Sequence, residues 1–329
     1  MVYTGRPMRR QLAVILALFA ASARAEAPAL DWFASLYTPE GVELRSDERV
    51  FALFAVLNAT GYDDAPLARA LPTPRRRFHP VRAHLRDELE AKDFALKGQL
   101  SAFFDAHPLP VDRYLRYAVT GKEPNELKGV EVLLAKAITA WGLNELLFAA
   151  QVEYRQALKG YLRGLDTPLA NARKVLKAVE GRAPVVVMNL LDGQDEVKGV
   201  AAEGEVLLIV GPSERPNLEG LVEAYARLTL EGPVLRRAGA WAGGAAALRE
   251  AQQSGARETS VPAYAATLLA RAVALRATEA PEAAYESAAQ KGYPGLRELS
   301  HAFDDPKPLE AWVVDALTRA SSRKSAARK

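Results

Sequence analysis

The chain of 329 residues contains no cysteine, which excludes disulfides, thiolate metal sites and cysteine nucleophiles together. It holds only four histidines, and no two of them stand at the i,i+4 spacing with which one helix clamps a metal ion. Also missing are His-Glu-x-x-His, a Walker-type phosphate loop, a Gly-x-Gly-x-x-Gly turn, Gly-x-Ser-x-Gly and an acidic calcium loop. Neither charge sign dominates, with 43 basic against 40 acidic residues. Four of those basic residues are arginines among the first 25 positions, which carry no acid, so 39 basic and 40 acidic residues remain beyond them. The basic pI therefore gives no reason to expect a nucleic-acid partner.

What is present begins with Arg6, Arg9 and Arg10, an apolar run from Leu12 to Ala21, and Ala23-Arg24-Ala25. A positive segment, a short apolar segment and a small-x-small site together read as a secretory signal peptide over residues 1–25, cleaved after Ala25. The run is too short to span a bilayer and no stop-transfer segment follows, so no membrane association is expected after cleavage, a retained anchor being the alternative. Met8 offers a second possible start. The expected destination is the periplasm or the outside of the cell.

Beyond the signal, hydrophobic residues make up 49% of the chain, enough for a large core over residues 26–320. Arg319, Arg323, Lys324, Arg328 and Lys329 form a basic cluster that reads as a solvated terminus, the tail itself spanning 321–329, with a polyanion-binding arm as the alternative.

Helical periodicity dominates. Helices are expected at Ala29–Tyr37, Val42–Ala59, Val81–Lys92, Phe94–Ala106, Val111–Val119, Glu126–Ala140 and Asn144–Arg163. The proline-rich stretch Pro66–Pro80 is expected as a loop. The pattern changes at Gly181: Pro184–Leu191, Val197–Ala201 and Glu205–Val210 read as strands of a small antiparallel sheet over about 184–211. Helices resume at Asn217–Leu230, Ala245–Ser254, Val261–Thr278, Pro281–Gln290 and Leu309–Ala320. The fold class is α+β, mostly helical, in one domain.

Side chains that could carry chemistry mostly have plainer roles. His84 lies near Asp87 and Glu88 on a helix and reads as an ion pair, His107 as a helix end, and His301 as a solvated end beside Asp304 and Asp305. A site gathered from all four histidines by the fold remains an alternative. The pairs Asp63-Asp64, Asp87-Glu88, Asp195-Glu196 and Asp304-Asp305 read as surface carboxylates, since acid/base work needs groups facing each other across a cleft. Gly239, Gly243 and Gly244 around Trp241 read as a flexible loop, with a phosphate cradle as the weaker alternative.

The order of elements resembles a family of exported bacterial zinc-metalloprotease-like proteins of zincin or gluzincin type (the DUF4932 type). The resemblance rests on Val50-Phe51-Ala52-Leu53 through Asn58, Gly61 and Tyr62, then Phe103-Phe104-Asp105-Ala106-His107, an aromatic helical stretch from Ile138 to Tyr161, and strands at Val185–Leu191 and Val206–Gly211. In that family the next helix carries His-Glu-x-x-His-Ser-Phe-x-x-Pro. Anchored on Pro233, the resemblance lays Ala224 and Leu228 over the two imidazoles, Tyr225 over the general base and Thr267 over a later carboxylate ligand. None of these side chains can hold zinc or serve as that base. Glu223 is a poor substitute, being about 100° round the helix from Ala224.

The resemblance implies a degenerate, zincin-like pseudoenzyme: exported, without metal or other cofactor, non-catalytic, and binding a peptide or protein. Two alternatives stay open. One is a hydrolase with an unfamiliar site drawn from His107, His301 and nearby carboxylates. The other is a helical structural or interaction protein, favoured if no antiparallel sheet packs beside the helix at Asn217–Leu230.

Overall fold

The β-branched run at 185–187 lies at the centre of a five-stranded sheet, where such residues pack well on both faces. The computed structural model describes residues 35–64, 77–122, 125–177, 183–202 and 204–326. All of these belong to one unit, Ser35–Lys329, so the expected signal peptide and the loop at 65–76 lie outside the described residues.

In chain order the described elements are β1 (Leu36–Tyr37), β2 (Glu43–Arg45), α1 (Glu48–Thr60), α2 (Pro80–Glu90), α3 (Phe94–Ala106), α4 (Val111–Thr120), α5 (Val130–Trp141), α6 (Leu143–Ala149), α7 (Gln151–Leu162) and α8 (Asp166–Leu176). Next come β3 (Ala183–Met188), β4 (Val197–Ala201) and β5 (Glu205–Val210). The rest is helical: α9 (Leu218–Arg237), α10 (Gly244–Gln253), α11 (Val261–Ala277), α12 (Glu282–Gln290), α13 (Leu296–Ala302) and α14 (Leu309–Ala326).

The protein is α+β and mostly helical, as its periodicity indicates, but the sheet is mixed rather than antiparallel. Its order is β1-β2-β3-β5-β4; β2, β3 and β5 run parallel, and the two outer pairs are antiparallel. Two strands come from the opening segment. Leu36–Tyr37 is strand where a helix is expected, and Val42–Ala59 is not one helix, because Glu43–Arg45 pairs with Val185–Val187 before α1 starts. A stretch of three residues is too short to show its period.

α1 is enclosed all round, with Val50 to Ala59 buried, and the helices from α2 to α6 pack against it. Asp47 caps its first amides and Gly61, at φ 71°, ends it in the left-handed region. The expected helix Asn144–Arg163 is two helices, α6 and α7, and α8 and α13 were not evident as periodic segments.

α9 continues past Pro233 to Arg237, beyond the expected end at Leu230, because Val234 and Ala238 are fully buried beneath it. α14 likewise runs on to Ala326, six residues into the stretch expected as a tail. α9 packs against α8, α11 and α14 and also against β4 and β5, which makes it the link between the helical C-terminal part and the sheet. An antiparallel strand pair thus does lie beside this helix.

Candidate functional site

β4 is the edge strand of the sheet, and its outer side faces a groove walled by α9 and α4. Ala202 and Glu205 exchange amide hydrogen bonds (3.0 and 3.4 Å) and the Gly211 amide donates to the Glu196 carbonyl (2.8 Å). By the alternation of an antiparallel ladder, the amides and carbonyls of Val197, Gly199 and Ala201 therefore point away from β5. Among the described residues no strand pairs with that edge.

α9 starts at Asn217, whose side chain accepts from the Gly220 amide and donates to the Asp195 carbonyl, tying the helix to the β3–β4 connection. It crosses β4 at Gly199. A Cβ there would lie 2.8 Å from Leu228 Cδ1 and 3.4 Å from the Ala224 carbonyl, so glycine lets the helix come this close to the strand. Ala224 and Leu228 accordingly both line the groove, which has a volume of about 530 Å³.

The electrostatics of the groove are mixed. Lys198 is nearly buried and pairs with Asp192, which is almost fully buried, and with Glu196 at 3.8 Å. Burial pulls the Lys198 ammonium pKa down, but the charges of Asp192 and Glu196 outweigh it and hold the value above its ordinary level. Glu223 is engaged by Arg271 at 3.0 Å and Asp195 by the Ser213 hydroxyl. Arg116, Arg227 and Arg257 are exposed at the groove, and their guanidinium groups form no ion pair among the described residues; the Arg257 amide donates to the Glu258 carboxylate.

Beyond Leu228 the groove adjoins a second cavity of about 760 Å³, walled by α8, Ala201, Val206, α9 and the segment 303–312. Its lining is largely apolar and includes Leu176, Tyr225, Leu230, Phe303 and Trp312. The far wall is braced: Phe303 and Trp312 meet edge to face at 5.2 Å, the Trp312 indole donates to the Lys307 carbonyl, and Lys177 donates to the Asp305 carbonyl.

The residues singled out by the resemblance separate three ways. Ala224 and Leu228 line the groove, Tyr225 lines the apolar cavity, and Thr267 is 1% exposed on α11 and lines neither. The zinc of the family that the chain resembles does not fit here, since the groove offers methyl and isobutyl groups where ligands are needed. Among the described residues no group of three or more His, Asp or Glu side chains could hold a metal ion.

The histidines do not converge. His107 caps α3 with its ring stacked on Phe103, at 4.3 Å, and its Nδ1 on the Phe103 carbonyl, whereas His301 is exposed beside Asp304 on α13. His79 caps α2, accepting from the Val81 amide. His84 is exposed, and no ion pair joins it to Asp87 or Glu88 among the described residues.

Two sequence readings need correction. Asp63 is not a surface carboxylate: it is 5% exposed and bound by the equally buried Arg82 at 2.5 Å, which also donates to the Leu191 carbonyl. Gly244 is not part of a flexible or phosphate-binding loop, for a Cβ there would meet Val261 Cγ1 at 2.5 Å and the Trp241 ring at 3.1 Å. Sequence reasoning missed Lys198, Asp192 and the apolar cavity. The only signal for the first two was a lysine inside an apolar strand segment.

The groove and cavity define a class by shape alone: an α+β protein with an unpaired strand edge beside a long helix. Comparison with protein-family models, curated proteins and solved structures gave no match.

Proposed function

We propose that this chain is an exported, zincin-like protein that keeps a peptide cleft without metal chemistry, and that the cleft binds an extended segment of a protein partner along β4. The observation that carries the reading is the free edge of β4: three residues present their amides and carbonyls to a groove that also contains Ala224 and Leu228. Strand addition is the ordinary use of such an edge, main-chain bonds supplying affinity and side-chain pockets supplying selectivity.

Two measurements test it on the purified protein. Metal analysis and a casein-hydrolysis assay with and without a chelator should find zinc well below one equivalent and no chelator-sensitive turnover; stoichiometric zinc with chelator-sensitive hydrolysis overturns the reading. Amide hydrogen exchange with saturating strand-forming peptide should slow Val197, Gly199 and Ala201, while Lys198 and Val200, already bonded to β5, change little.

A further inference from the structure

Independently of any strand added to β4, we propose that the connection Asp304–Pro308 between α13 and α14 is a lid on the apolar cavity, held shut by three cations that stand at helix C-termini. The connection contributes Pro306, Lys307 and Pro308 to the cavity wall. Its two ends are fixed, because Phe303 and Trp312 are buried and meet edge to face at 5.2 Å. Between these posts Asp304, Pro306, Lys307 and Pro308 are exposed.

The backbone does little to hold the segment down. Among the described residues its hydrogen bonds are local: the Asp304 amide donates to the His301 carbonyl at 3.0 Å, the Asp305 amide to the Ala302 carbonyl at 3.2 Å, and the Lys307 amide to the Asp305 carboxylate at 2.9 Å. Pro306 and Pro308 have no amide to donate, and their fixed φ makes the segment move as a strap rather than fray residue by residue. Because the strap lines a cavity of about 760 Å³, lifting it breaks few apolar contacts. Segments with few buried contacts open at the low end of a protein's local stabilities.

Side chains from other helices supply the closure. Arg276, near the end of α11, holds Asp304 at 2.8 Å, and Asp304 also lies 3.8 Å from His301. Arg236, near the end of α9, donates through Nε to Glu310 at 3.0 Å, where α14 begins. Lys177, directly after α8, donates to the Asp305 carbonyl. A further tie, the Trp312 indole on the Lys307 carbonyl at 3.2 Å, comes from the post itself. Lys177 carries the assignment furthest. It ends α8 at φ 47°, in the left-handed region where glycine is the ordinary residue. Lysine there strains the backbone where glycine would not, and what it adds is an ammonium group on the strap.

The chain has no cysteine of its own, so Lys307→Cys and Gln156→Cys, both at exposed positions, can carry two nitroxide labels whose separation is read by double electron–electron resonance. At about 0.01 M salt, where charges act over about 30 Å, one distance is expected; at about 1 M, where they act over about 3 Å, a second should appear. Lys177→Gly should raise the share of that second distance at low salt by about 1.4- to 5-fold, the range for losing one exposed charged contact. Its urea midpoint should stay level or rise, because the strained residue is gone. Nile red, a neutral apolar dye, should bind in step with the second distance, and Thr229→Trp, on the cavity wall, should cancel that binding.

A single distance in both salts and in Lys177→Gly makes the segment a fixed wall and overturns the lid. A second distance without added dye binding overturns it too, since the segment then moves without governing the cavity. If Lys177→Gly lowers the urea midpoint and leaves the distance unchanged, the lysine is a structural cap alone, and the proposal is overturned at its tether.

Discussion

Asp47 shows how a single buried carboxylate organises the start of the core. It accepts from the Arg49 and Val50 amides and is only 8% exposed. Burial alone would raise its pKa, but the hydrogen bond and charge of Arg49, the Val50 amide and the charge of Arg45 outweigh it and hold the value below the ordinary 3.8. Because the folded pKa is depressed, the unfolded chain binds the proton more readily, so stability rises with pH through this window. Asp47→Ala should lose about 0.5–2 kcal/mol at neutral pH, as measured by urea unfolding. Asp47→Asn keeps the cap without the charge. Its deficit relative to the parent should be present above pH 3.8 and vanish as pH falls below it; a deficit independent of pH would contradict this account.

Among the elements, the contact between α9 and β4 is set by the missing side chain of Gly199. Gly199→Ala should place its methyl against Leu228 Cδ1, which lies at the tip of a side chain that can turn aside. The expected cost is about 1–3 kcal/mol of overpacking, largely recovered by adding Leu228→Ala; a double-mutant cycle without coupling would contradict the contact. Individual elements were legible from sequence where a period had room to show. α3, β4 and β5 have the bounds that their residues indicate. β2 was not legible, because three residues carry no readable period and their partner strand lies about 140 residues away. The helix expected to end at Leu230 runs on to Arg237, where Val234 is buried. The groove face of α9 could be anticipated from Ala224 and Leu228. The apolar cavity could not, since its walls come from α8, β4, α9 and the segment 303–312, which sequence alone does not bring together. Nor could the burial of Asp63 and Arg82, which read as solvated charges until their partners are in place.

For the molecule as a whole, the sheet is the part that joins early and late segments, since β2 pairs with β3 and α7 packs on both. Unfolding is therefore expected to be one cooperative event. Trp141 is buried among the N-terminal helices, and Trp241 and Trp312 are buried in the C-terminal part. Variants that keep tryptophan only at position 141 or only at position 241 should give urea midpoints that coincide with each other and with circular dichroism. Separated midpoints would show that the two parts unfold independently.

The parallel pairing of Glu43–Arg45 with Val185–Val187 also has a consequence in time. A chain made from its N-terminus completes β1 and β2 long before β3 exists, so the central strand of the sheet cannot form until more than half of the chain has been synthesised. Contacts this distant in sequence close slowly. If the chain is exported as proposed, that delay would leave the sheet open while the chain is threaded across a membrane, and the fold would close on the far side.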